Sequence, residues 1–143
     1  MDDRIKEHLQ QLNKYYLHLT EMGKLKREVF VQDVVLQGAT ERFLQLAIES
    51  CLNIGNHILS LHQFQKPFDP PQTYSDIFVG LKDIGVIDQQ LCERLVMMAK
   101  FRNRLVHLYW EISPEKIFEI IQDNLEDFKL FEKKIVEFFK SRS

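Results

Sequence analysis

The chemistry-bearing side chains of this sequence crowd into one stretch, Phe101-Arg102-Asn103-Arg104-Leu105-Val106-His107-Leu108-Tyr109-Trp110. An imidazole such as His107 exchanges protons near neutral pH, which suits it to take a proton from a hydroxyl or to return one to a leaving oxygen. Arg102 supplies a planar, permanently charged fork that matches a phosphate whose negative charge builds in a transition state. Arg104 and Lys100 add local positive field. Tyr109 can donate a hydrogen bond to a phosphate or stack on a base. Asn103, four residues before His107, is placed to orient its ring. As a set, these groups suit cleavage of RNA at a phosphodiester without a metal.

Position alone also supports a plainer reading of Arg102. It falls between Met98 and Val106 in the apolar stripe of Leu91, Leu95 and Tyr109. A cation there needs a partner, so a structural arginine paired with a carboxylate in a core or dimer seam is the competing assignment. Helix geometry sets a further condition. Residues seven apart nearly eclipse on a straight helix, whereas residues five apart diverge by about 140°. Arg102 and Tyr109 are therefore expected on one face and His107 off it. Either the helix loosens near Val106, or the arginine of one subunit works beside the histidine of another.

The elements that must position these groups read as helices. The chain has only 5 Gly and 4 Pro, and three of the prolines cluster at Pro67, Pro70 and Pro71, so breaks are few. A first helix is expected from about Asp3 to Met22, with Ile5, Leu9, Leu12, Tyr16 and Leu19 in one stripe and Gly23 as its stop. A short segment from Glu28 to Leu36 leads to Gly38. The second long helix is expected from about Ala39 to Phe64, with apolar Phe43, Ala47, Cys51, Ile54 and Ile58 opposite a polar stripe of Arg42, Gln45, Glu49, Asn53 and Asn56. The loop from Gln65 to Thr73 cannot be helix interior, because each proline lacks the donor a helix needs. A short helix from Tyr74 to Lys82 stops near Gly85. The third long helix starts at an Asp88 cap and runs to about Leu108. The fourth opens at Ser113-Pro114 and continues to the C-terminus, with Ile117, Ile121, Leu125, Phe128, Phe131, Ile135 and Phe138 inward. The expected architecture is all-α: an up-and-down four-helix bundle with one or two short extra helices, formed by residues 1–143 as a single domain.

Apolar residues nearly surround the third helix, where the clear polar strip is only Glu93, Lys100 and Arg104. Such a helix must be covered on nearly every side, and a second copy of the chain is the expected cover. A formal net charge of −2 excludes a broad nucleic-acid coat and confines any RNA contact to a few phosphates. Cys51 and Cys92 lie in apolar helical stretches without a disulfide pattern, which points to a reducing cytosol and a packing role. No run of about 18 apolar residues offers a membrane span, and the N-terminus lacks the apolar core of a signal. A cytoplasmic protein is expected. His8, His18, His57 and His62 form neither Glu-x-x-His nor His-x3-His, so no metal or cofactor is expected.

The stretch from Arg102 to Tyr109 resembles the Arg-x4-His-x-Tyr signature of HEPN toxins of the HepT type. Residues Ala39 to Gln45, continuing through Ala47-Ile48-Glu49 to Asn53-Ile54-Gly55-Asn56-His57, resemble that family's first long motif helix. Where many of its members carry Asp in that helix, this chain has Asn53. The resemblance covers essentially the whole chain. It implies a HEPN-like bundle and a homodimer with its motifs at the seam. It further implies an endoribonuclease toxin that cuts transfer RNA or message and leaves a 2′,3′-cyclic phosphate. Arg102 and His107 would be catalytic there, with Asn103, Arg104, Tyr109, Glu49 and Asn53 binding substrate or supporting. The implied partner is a small MNT-type nucleotidyltransferase antitoxin that attaches AMP to the motif tyrosine, here Tyr109. A non-catalytic dimeric adaptor, or a nucleotide-binding accessory of that partner, is the rival reading.

Overall fold

A computed structural model describes residues 1–63 and 70–142, and among them every regular element is helical. The expected helix end at Phe64, and the part of the expected loop from Gln65 through residue 69 that includes Pro67, lie outside the described residues. Seven α-helices follow in order: α1 (Asp3–Gly23), α2 (Arg27–Phe30), α3 (Val34–His62), α4 (Tyr74–Asp83), α5 (Gln89–His107), α6 (Pro114–Asp123) and α7 (Glu126–Lys140). A 3₁₀ turn spans Tyr109–Glu111.

Side chains acting as caps start most of these helices by satisfying backbone N–H groups that have no partner within the helix. The carboxylate of Asp2 accepts from Arg4 N at α1, and that of Asp33 from Leu36 N at α3. Asp88 does the same for Leu91 N at α5, and the Ser113 hydroxyl accepts from Lys116 N ahead of Pro114. Thr73 and Asp76 form a reciprocal capping box at α4. Gly85, at φ 85°, closes the turn after α4 in a conformation only glycine adopts cheaply.

The long rods α1, α3, α5 and the α6–α7 pair enclose one apolar cluster, in which Ile5, Leu12, Leu19, Ile54, Ile58, Phe78, Leu91, Leu95, Phe131 and Ile135 are fully buried. This is the expected bundle, with two differences of detail. The second long helix begins at Val34, not Ala39, and runs through Gly38. The Asp33 cap supplies a start there, and one exposed glycine costs only about 1 kcal/mol against the packing that follows. The fourth rod is not continuous. It breaks after Asp123, where Asn124 N donates to Ile120 O and α7 starts without a side-chain cap. Asparagine competes for local backbone bonds and so favours such a stop. Beyond the break, Asp127 is buried and accepts from Arg94 Nε at 2.8 Å, tying α7 to α5.

Helix α4 seats itself on α3 through a close approach at Gly55. A Cβ added there would lie 2.7 Å from Ile77 Cγ2 and 3.0 Å from Leu81 Cδ1. Gly55→Ala is therefore expected to lower stability by about 1–3 kcal/mol. A drop in the urea midpoint at unchanged slope checks this, and an unshifted midpoint contradicts the tight seat. No described helix is long and apolar enough to cross a membrane.

Candidate active site

Arg102 sits on the side of α5 that faces α3 and the start of α4. Its side chain is 14% exposed, and that of its partner Glu49 28%. Both Nη2, at 2.7 Å, and Nε, at 3.3 Å, donate to Glu49 Oε1. Nη1 donates to Asn103 Oδ1 at 3.3 Å, and the guanidinium carbon stands 4.9 Å from the centre of the Tyr74 ring. Three neighbours thus fix the plane of the cation, which still has one N–H on each terminal nitrogen to offer elsewhere. Glu49, in turn, accepts from Gln45 Nε2 on its own helix at 3.3 Å. The carboxylate partner foreseen for a structural arginine exists, and it is the same Glu49 assigned a supporting role.

His107 is the last residue of α5, exposed, with no hydrogen-bond or ion-pair partner among the described residues. The expected Asn103–His107 contact is not made. The Asn103 amide oxygen is instead engaged by the charged guanidinium next to it, the stronger donor. The expected sharing of a face by Arg102 and Tyr109 also fails. Helix α5 ends at His107, and Leu108, at φ −138° and ψ 35°, turns the chain before Tyr109. Tyr109 lies in the 3₁₀ turn, 57% exposed, its ring edge-on to Trp110 at 5.4 Å. Arg104 departs from the group as well. It borders a separate hollow with Lys100, Met97, Phe101 and Lys116, between α5 and α6. Two residues along a helix turn a side chain by about 200°, so Arg102 and Arg104 cannot serve one face.

Asn53 falls where α3 passes α4 and α5. It lines a cleft of about 610 Å³ together with Leu52, Asn56, Gln72, Thr73, Tyr74, Ile77 and Asn103. Asn53 and Asn56 also border a neighbouring hollow of about 410 Å³ with Arg4, His8, His57 and Ser60. At its edge Asp2 Oδ1 lies 3.3 Å from His57 Nε2. The Arg4 backbone N–H, and then the His57 ring, hold the Asp2 carboxyl below the usual range. Within one chain, then, hydrogen bonds and a shared cleft link Arg102, Glu49, Asn53 and Asn103, while among the described residues no hydrogen bond, ring contact or shared hollow links His107, Tyr109 or Arg104 to them.

Tyr74 and Gln72 were not legible as site residues. Both lie just beyond the proline cluster, far along the chain from Arg102, and no local pattern links them to it. Asp127 escaped for the same reason: it looks like one more charge on an amphipathic helix. The two cysteines are buried, and burial pushes both thiols up, away from the thiolate a nucleophile needs.

Residues 5–135 match the family described as Ribonuclease HepT-like. Among curated relatives, "tRNA nuclease HepT" of Aphanizomenon flos-aquae is 28% identical over 131 residues, 92% of this chain and 86% of its own length. "mRNA nuclease HepT" of Shewanella oneidensis is 35% identical over 102 residues, 71% of this chain and 74% of its own. A solved structure of a tri-AMPylated Shewanella oneidensis HEPN toxin in complex with MNT antitoxin superposes with a TM-score of 0.86 at 29% identity. That match covers 96% of this chain and 99% of the other. By sequence across nearly its whole length, and by the arrangement of its helices, this chain belongs to the HepT-like ribonuclease family.

Proposed function

We propose that this chain, an endoribonuclease toxin of the HepT-like family, cuts RNA with Arg102 and His107 acting across a homodimer seam. The ribose 2′-oxygen attacks phosphorus, the 5′-oxygen leaves, and a 2′,3′-cyclic phosphate remains. His107 transfers the proton, Arg102 holds the phosphate, and Glu49, Asn103 and Asn53 support the grip. The substrate is transfer RNA or message, as the names of the two curated relatives suggest. Residues 1–143 act as one unit, in the cytoplasm.

The observation that carries this reading is the state of Arg102. Its plane is fixed by Glu49, Asn103 and Tyr74, with N–H groups to spare, while His107 is exposed at a helix end. A preset cation and an unengaged imidazole with no bond between them in one chain favour a site completed by a second copy. The apolar side chains exposed just past that helix end, Leu108 and Trp110, support the same conclusion. A patch of this kind marks an interaction surface. The ion pair with Glu49 also favours the adaptor reading, in which Arg102 is structural only, and loss of His107 separates the two.

An MNT-type nucleotidyltransferase is the proposed antitoxin, attaching AMP to Tyr109, whose exposure suits enzymatic modification. Added phosphate brings negative charge beside the seam, where it repels RNA and competes for Arg102. Mass spectrometry of the chain co-expressed with that partner is expected to show AMP on Tyr109, together with loss of RNA cleavage. Full neutralisation with Tyr109 unmodified refutes this route.

A further inference from the structure

The amide-lined cleft beside Arg102 has chemistry that phosphate cleavage alone does not require. Its volume, about 610 Å³, falls within the ~300–1,000 Å³ of sites that hold small organic groups. Leu52 and Ile77 provide apolar wall, and the Tyr74 ring lines the side nearest the guanidinium. Around them stand the side-chain amides of Asn53, Asn56, Gln72 and Asn103. Those of Asn53, Asn56 and Gln72 make no hydrogen bond among the described residues; only the backbone N–H of Gln72 is engaged, by Asp76.

An amide carries donor and acceptor side by side, the pattern that pairs with the edge of a nucleobase. A set of carboxylates would read cations, and a set of lysines would read phosphate alone. Among the described residues no cation lines the cleft itself, and the Arg102 guanidinium adjoins it through Tyr74 and Asn103. The cleft is also not a closed hole. Asn53 and Asn56 belong at once to the next hollow along α3, so the occupant can enter and leave as a strand. An unstacked base of single-stranded RNA, read on its edge beside a phosphate, fits each of these features.

We infer that this cleft is a base-reading subsite, in which Asn56 and Gln72 select the nucleotide flanking the phosphate held at Arg102. The inference rests on the ribonuclease reading and adds to it the origin of sequence preference. Asn56 and Gln72 lie outside the Arg102–Tyr109 stretch, and both are exposed, so their replacement leaves the core untouched.

The test compares the full-length wild type with Asn56→Ala, Gln72→Ala and the conservative Asn56→Gln. Each is given a randomised single-stranded RNA library and total cellular RNA, and the cut ends are sequenced. Wild type is expected to favour particular bases at a position flanking the cut. Each alanine variant should lower that preference about tenfold, the size of one lost base-edge pair, and Asn56→Gln should restore part of it. Unchanged base preference in both alanine variants overturns the subsite. A rate that falls equally for all bases overturns it too, because that is the mark of a merely structural role. A folded wild type that cuts neither substrate removes the ribonuclease reading itself, and the subsite with it.

Discussion

Replacing His107 by alanine is expected to lower RNA cleavage by about 10²–10⁴-fold, the usual share of a positioned general acid or base, and to leave the fold intact. The fold half of that result follows from placement. His107 ends α5, is exposed, and its side chain makes no hydrogen bond, ion pair or ring contact among the described residues. Helical content and thermal midpoint should match wild type, and the proposed dimer should persist. The catalytic half follows from chemistry, since no other histidine lies in the motif stretch, and His57 sits by Asp2 at the far end of the groove along α3. Cleavage that survives in a folded His107→Ala protein defeats the assignment. Under the adaptor reading, a wild-type protein purified free of contaminating nucleases cuts nothing in the first place. Measuring cyclic-phosphate ends in both proteins, with chelator present, separates these cases.

Arg102→Ala is expected to cost about 10²–10³ in kcat, as loss of a donor aimed at developing charge does, with Arg102→Lys falling between the two. Lysine keeps the charge but lacks the fork, and it cannot hold Glu49 with two N–H groups as Nε and Nη2 do. The effect on stability should be much smaller. Removing one partner of a fully buried ion pair costs about 3–5 kcal/mol, but the Glu49 side chain is 28% exposed and water can reach the orphaned carboxylate. A modest fall in thermal midpoint beside a large fall in kcat is the expected signature. The reverse pattern, full activity in a protein that unfolds easily, makes Arg102 a structural residue, as its position in an apolar stripe first suggested.

How far the site could be read in advance varies residue by residue. Arg102, His107 and Tyr109 stand out because their spacing is local and their chemistry specific. Glu49 was within reach, lying in the polar stripe of a helix whose other side is core. Tyr74 and Gln72 were not, because the seating of α4 on α3 at Gly55 is what brings Tyr74 against Arg102 and Gln72 into the same cleft as Asn103. The Asn103–His107 contact was misplaced for a related reason. Sequence spacing put the two within reach of each other, and a charged neighbour took the amide first.

The bundle itself follows from quantities stored locally along the chain. Caps at Asp88 and Ser113 and apolar residues three and four apart specify where rods start and which side they bury, through interactions that span a turn or two of helix, while the Asp33 cap that starts α3 before Gly38 was seen only in the fold. The break at Asn124, the end of α5 at His107 and the Glu49–Arg102–Tyr74 cluster required the folded molecule. Each depends on which of several nearly equal local options the neighbouring helices reward, and that energy resides in contacts between residues far apart in the chain.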